Sequence, residues 1–294
     1  MQSLRFSGTA FASIVLLAAC AGGRATSPIL SVPGVGRVLS MSTAGKAPKY
    51  NIFVASYGDD TLTTYKENGE KTSPSITGLD QPQGVVVDPN GKIYVANFNG
   101  GTLTTYEADG APSTPTLTGL SLPVGVAVDA NGKIYVVNQG DNTLTTYESD
   151  GTPTSPTISG LDAPTGVAVD AAGKIYIANF ADNTLRTYAA DGTPATPTIS
   201  KGLDGPVGVA VDAKGKIYVV NQSSNSMTTY RANGAQTTPT ITSGLKTPEF
   251  VAVDPSGKIY VTSYTGNAVR AYRPTGTPTN PIITLVAPSG IALH

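Results

Sequence analysis

Few side chains in this sequence can do chemistry, and their positions narrow what they can do. Cys and His occur once each, as Cys20 and His294, and Trp is absent. Those counts exclude disulfide frameworks and zinc sites built from Cys and His. Acidic residues are more numerous, and one set is periodic: Asp88, Asp129, Asp170, Asp212 and Asp254 each lead into a Gly-Lys pair. Asp-Pro-Asn-Gly carries oxygens of the kind a calcium loop uses. Capping a turn, however, needs only one Asp and accounts for every copy, so these are read as turn residues. Asn97, Asn138, Asn179 and Asn221 recur in the same manner and read as loop caps. A residue repeated at every copy serves structure, and a residue that breaks the pattern is the better functional candidate. The sharpest break is Glu249-Phe250: every equivalent of Phe250 is Gly, and no equivalent of Glu249 is charged. A carboxylate there could hold a cation or a basic group of a ligand; the alternative is a solvated surface Glu. His294 stands where other copies have the turn Asp, with no turn after it, and reads as a terminal remnant rather than a catalytic base. No nucleophile elbow, phosphate loop or redox motif occurs, so no catalytic residue, metal ligand set or cofactor is assigned.

The elements that position these residues follow from an internal repeat. Gly91-Lys92-Ile93-Tyr94-Val95-Ala96-Asn97 recurs from Gly132, Gly173, Gly215 and Gly257, at intervals of 41, 41, 42 and 42 residues. A degenerate first copy is Asn51 to Ser56. In the unit that starts at Pro123, Gly125 to Asp129 alternates large and small residues, as a strand buried on both faces can. Asp129-Ala130-Asn131-Gly132 is a hairpin turn, and Ile134 to Asn138 is the second strand. Thr143 to Tyr147, rich in β-formers, is the third. Asp150-Gly151 turns again, and Pro156 to Ser159 is a short outer strand. Four antiparallel strands in about 41 residues make a propeller blade.

The second-strand motif occurs six times. The inner-strand motif follows at Gly84, Gly125, Gly166, Gly208 and Phe250, and once more as Gly290 to His294. Blade 1 therefore lacks an inner strand of its own at the N-terminal end, and the last five residues supply it. The fold expected is all-β: a six-bladed β-propeller of four-stranded antiparallel blades over residues 50–294, with the ring closed by the C-terminal strand. The phrase Pro-x-Gly-Val-Ala-Val-Asp-x-x-Gly-Lys-Ile-Tyr-Val-Ala-Asn resembles the NHL repeat over about residues 50–294. Propellers of this kind include scaffolds, RNA binders, lactonases and lyases, so the resemblance implies the fold and leaves the function open.

Chain direction places the loops. The start of each inner strand and the loop after each second strand share one face, here called the top. The turn lysines Lys92, Lys133, Lys174, Lys216 and Lys258 fall on the other face. Two variable rings are expected at the top. Tyr57, Phe98, Gln139, Phe180, Gln222 and Tyr264 follow the second strands. Gln83, Val124, Thr165, Val207, Glu249 and Ser289 stand between Pro and Gly (Phe in blade 6) at the inner-strand starts. Aromatic and amide groups around a shallow funnel suit a glycan, a peptide or a loop of a partner protein. The plainer alternative has the aromatic side chains packing over neighbouring loops.

The N-terminus carries a separate signal. A short polar start with one positive charge leads to an apolar stretch from Phe6 to Ala19, which ends in Leu17-Ala18-Ala19-Cys20. This resembles the bacterial lipobox, whose Cys is lipidated, so residues 1–20 read as a lipoprotein signal peptide with Cys20 as the acylation site. Residues 21–49, rich in Gly, Ser, Pro and Ala, read as a flexible tether. Localisation in the cell envelope, with membrane contact through the lipid anchor only, follows from that reading. Net charge is −1, only 13% of residues are charged, and the top loops offer Asp59, Asp60, Asp141 and Asp182 rather than a basic patch. Nucleic acid is therefore not an expected partner.

The function expected is a monomeric, non-catalytic binding or scaffold module acting through its top face. The alternative is a metal-dependent lactonase, hydrolase or lyase. Resemblance to gluconolactonase-like propellers would then imply a metal held by carboxylates and amides at the channel, with His nearby.

Overall fold

The architecture was analysed in a computed structural model, which describes residues 50–294. Residues 1–49, read above as signal peptide and tether and including Cys20, lie outside the described residues. Twenty-four strands run from β1 (Asn51–Ser56) to β24 (Pro288–Leu293) and form six four-stranded antiparallel sheets. The inner strands are β4 (Pro82–Val87), β8 (Pro123–Val128), β12 (Pro164–Val169), β16 (Pro206–Val211), β20 (Pro248–Val253) and β24. In blade 1 the order is β24, β1, then β2 (Thr61–Lys66) and β3 (Lys71–Thr77), so the chain end completes the first blade. Val54 opposes Ile291, and Asn51 and His294 exchange backbone hydrogen bonds beyond the last strand pair.

The second strands of blades 2 to 5 are apolar up to their closing Asn because both faces of each blade are covered by neighbouring blades. Every residue of Ile93–Asn97 and Ile134–Asn138 is buried. The apolar clusters accordingly span adjacent blades: Tyr94, Ala96, Leu103 and Leu117 of one sheet meet Val126, Ile134 and Val136 of the next. At the closing seam, Tyr260, Val269 and Ile283 of blade 6 pack on Ile52, Val54 and Ile291 of blade 1.

The turn aspartates do what their type suggests. Asp129 Oδ1 accepts the backbone N–H groups of Asn131 and Lys133, and Gly132 takes φ +84° to close the turn. Lys133, Lys216 and Lys258 lie over the rings of Tyr135, Tyr218 and Tyr260 at 5.8, 5.3 and 5.0 Å. Three of the four recurring Asn also cap: Oδ1 of Asn179 and of Asn221 accepts the backbone N–H of Asp162 and Asp204, each at 3.2 Å, and Asn97 does the same for Asp80 at 3.4 Å, whereas Asn138 Oδ1 is buried without a partner. Two strands differ from expectation, ending one residue early at Val128 and Ile158 and starting early as well. The inner strand of the unit at Pro123 starts at Pro123, because Pro123 pairs with Asn138 across a bulge. Its outer strand starts at Pro153, where pairing with Tyr147 resumes beyond a second bulge.

One locking residue carried no repeat signature. Tyr50 donates its hydroxyl to Asp254 Oδ2 at 2.8 Å and lies edge-on to Tyr260, with ring centroids 6.1 Å apart. In blades 3, 4 and 5 the blade's own Tyr reaches that oxygen, as Tyr176 does to Asp170 at 3.1 Å. Tyr50 thus fastens the first described residue to blade 6, beside the seam that β24 closes.

Deleting residues 290–294 strips Ile291 from the seam and leaves β1 with an open edge. Losing one such buried side chain alone costs about 2–5 kcal/mol, a large part of a domain's stability. The shortened chain is expected to lose its cooperative thermal transition, followed by circular dichroism; an unchanged midpoint would mean the ring closes without β24.

Candidate functional site

The inner strands approach one another closely around the axis, and the repeated Gly permits it. A Cβ at Gly84 would lie 2.3 Å from the Val124 carbonyl oxygen, and one at Gly166 would lie 2.2 Å from that of Val207. Gly125, Gly208 and Gly290 meet the same obstacle at 2.5, 2.5 and 2.3 Å. Phe250 is the sixth position of this ring. Phe250 alone of the six carries a side chain, and that side chain borders the axial cavities.

Above the glycine ring is a cavity of about 290 Å³ lined by residues of all six blades. From the loops after the second strands it takes Tyr57, Phe98, Gln139, Phe180 and Gln222; from the inner-strand starts it takes Gln83, Val124, Thr165, Val207 and Glu249. Phe250 completes the lining and also borders the channel below. That channel, about 240 Å³, is walled by Val, Ala, Ile and Leu of the inner strands. Phe250 therefore stands at the boundary between a mixed polar and aromatic chamber and an apolar one.

Two expected members of the rings serve other ends. Tyr264 does not line the cavity; its ring packs edge-on against Tyr57, with centroids 5.9 Å apart, while the Tyr57 hydroxyl donates to Gln81 Oε1 at 2.9 Å. Ser289 is fully buried and donates to the Pro82 carbonyl at 2.6 Å, tying blade 1 to blade 2. Thr165 lines the cavity, yet its hydroxyl lies within hydrogen-bond distance of the Ala178, Pro206 and Val207 carbonyls. Its contribution to the chamber is shape more than polarity. Thus the aromatic packing foreseen as the plainer alternative describes Tyr264 and part of Phe180, which lines the chamber but also packs on the apolar cluster of the next blade, while Phe98 faces the chamber.

Glu249 is not a solvated surface group. It is partly buried, and its Oε1 accepts a hydrogen bond from Gln222 Nε2 at 2.8 Å. Burial pushes its carboxyl up to about 7, against the opposing pull of the Gln222 bond. It is the only acid lining the chamber, with the Gln83, Gln139 and Gln222 amides as the other long polar groups. Its field, after burial and the neighbouring Tyr57, also holds the Tyr264 phenol above its ordinary value. The Gln222 to Glu249 pair joins blades 5 and 6 at a separation of 27 residues, a contact no repeat pattern announces. Among the described residues, no three of His, Cys, Asp and Glu come together as a metal-binding group. His294, exposed on the opposite face, has its Nε2 3.4 Å from the Pro89 carbonyl oxygen, away from the chamber.

Residues 79–106, most of blade 2, match the family model of the NHL repeat, and residues 238–271 match that of strictosidine synthase-like, N-terminal. The chain is an NHL-like six-bladed propeller. No curated relative matches it significantly. Among solved structures, a chain of the nidogen/laminin complex is 17% identical, with 84% of this propeller chain and 98% of that chain covered and a TM-score of 0.70. A protein of unknown function from Bacteroides caccae is 11% identical, covering 84% and 99%, also with a TM-score of 0.70. Virginiamycin B lyase from Staphylococcus aureus is 14% identical, covering 82% and 84%, with a TM-score of 0.62. At such identities the likeness is one of fold.

The raised Glu249 carboxyl fixes a pH signature. An acid whose folded value exceeds its unfolded value of 4.5 stabilises the protein fully below that value, and the contribution is lost as pH rises through about 7. Glu249→Gln cannot titrate. The wild-type protein is therefore expected to lose up to about 3 kcal/mol relative to this variant between about pH 4 and about pH 8. Urea unfolding of both across that range checks it, and a constant difference would put the carboxylate in open solvent.

Proposed function

We propose that this propeller is an exported, lipid-anchored module that binds a ligand non-catalytically in the chamber on its top face. The observation that carries the reading is the convergence of side chains from all six blades on one concave site. Aromatic rings, amides and a single acid meet there in about 290 Å³. Such a mixture of apolar walls and a few polar groups is how small-ligand sites are built. A glycan unit, a peptide side chain or a loop of a partner protein fits these dimensions. Cys20 supplies the anchor: acylation there would hold the protein at a membrane surface without a spanning segment.

A metal-dependent lactonase, hydrolase or lyase is the second reading, and one feature favours it. A carboxyl near neutrality suits a general acid or base. A hard cation, however, seeks about six to eight oxygen ligands, and the chamber brings one carboxylate and three glutamines.

Thermal unfolding of the chain from Ala21 onward, with a panel of glycans, peptides and lactones and with calcium or EDTA, separates the two. A ligand at one hundred times its Kd adds about 2.7 kcal/mol to native stability, a rise of several degrees. A ligand-dependent rise insensitive to EDTA, without turnover, is expected. A calcium-dependent rise abolished in Glu249→Ala would favour the enzyme. For the anchor, Cys20→Ser is expected to move the full chain expressed in bacteria from the membrane fraction to the soluble fraction; unchanged fractionation removes the lipidation proposal.

A further inference from the structure

The chamber's charge balance indicates what class of ligand it accepts. Glu249 has a neutral hydrogen-bond partner in Gln222 and no cationic one: among the described residues, the ion pairs are Lys66 with Glu70 and Arg186 with Asp182. Its Oε1 takes the Gln222 bond, and Oε2 has no hydrogen-bond partner among the described residues. A buried acid without a counter-charge is costly to ionise, which is why it holds its proton toward neutrality. Four aromatic side chains share the lining, Tyr57, Phe98, Phe180 and Phe250, and aromatic faces attract cations. Acid and rings together make a setting that is unfavourable to anions and incomplete without a positive charge.

We propose that the chamber binds an organic monocation, a protonated alkyl- or arylalkylammonium group, with Glu249 as its counter-ion and the aromatic lining around its carbon skeleton. The proposal rests on the top-face binding reading above and narrows it to a ligand class. Amino sugars, peptide N-termini and lysine side chains all present this chemistry. A hydrated metal ion is the poorer match, because it gains little from rings and asks for more oxygens than the site presents.

The proposal links affinity to pH. The other lining side chains are amides, rings, aliphatic groups and one threonine, with no Lys, Arg, His or second acid among them. The titratable neighbours are the phenols of Tyr57 and Tyr264. Lys246, Asp59 and Asp60 occupy exposed positions in adjoining loops and do not line the chamber. Cation binding must then expel the Glu249 proton wherever the free protein retains it, so affinity falls as pH drops below about 7.

Benzylammonium and the neutral, nearly isosteric benzyl alcohol are the probes, titrated into the protein from Ala21 onward and followed by calorimetry and ligand-detected NMR. Benzylammonium is expected to bind at least about tenfold more tightly than the alcohol at pH 8. Its affinity is expected to weaken about tenfold between pH 8 and pH 6. Glu249→Gln, whose folding is verified by its thermal transition, is expected to lose both the preference and the pH dependence. Equal binding of the two probes, or a preference that survives in Glu249→Gln, overturns the cation proposal and leaves top-face binding standing. So does failure of benzylammonium to bind when a neutral glycan or peptide does. If neither these probes nor the wider panel bind, both readings fail together.

Discussion

The geometry of this molecule turns on a steric limit at its axis. Six inner strands converge there, and at five of them the neighbouring carbonyl comes so near that no side-chain carbon fits. Gly84, Gly125, Gly166, Gly208 and Gly290 are therefore required for packing more than for flexibility. The blades twist outward from this contact, their second strands are buried on both sides by neighbouring sheets, and the apolar clusters form between blades rather than within them. Even the seam obeys the rule, since Gly290 comes from the chain's last strand and lies against Gln83 of blade 2.

The site arises where that rule is relaxed. Phe250 replaces the sixth glycine and borders both chambers, so a passage through the axis is divided into an upper part with polar groups and a lower part without them. The residue before it, Glu249, is carried to the same depth as the valines and threonine of other blades. Its carboxyl is withdrawn from water by its place in the ring, and the Gln222 amide from the preceding blade is the group that meets it. Position in the repeat, rather than local sequence, makes this glutamate unusual.

Much of the fold was legible from the residues because each blade repeats the same physical solution. The turn Asp and Gly, the Ile-Tyr-Val run and the displaced last strand each have a local cause, and the six-fold count left one way to close the ring. Glu249-Phe250 was legible as an interruption of that pattern. What was hidden depends on contacts between blades. The Gln222 bond could not be read from either segment, and the sequence offered aromatic packing over loops without singling out Tyr264. The anchoring of Tyr50 on Asp254 joins residues 204 positions apart, and Tyr50 stands just ahead of the degenerate first copy, outside the motif that the other blades share. Strand ends at Pro123 and Pro153 were displaced by bulges, which periodicity alone does not mark.

The replacement at blade 6 has a further meaning for a ring whose inner strands otherwise repeat the same glycine. A guest seated on the axis of a uniform six-bladed ring would have six equivalent orientations, with no means of telling partners or substituents apart. One carboxyl and one benzyl group on a single blade remove that degeneracy. Choosing one orientation of six forgoes only about 1 kcal/mol of orientational entropy, less than a single well-placed ionic hydrogen bond supplies. A molecule assembled from near-identical parts thereby acquires a compass bearing: whatever enters from the top can be held with one particular side toward blade 6.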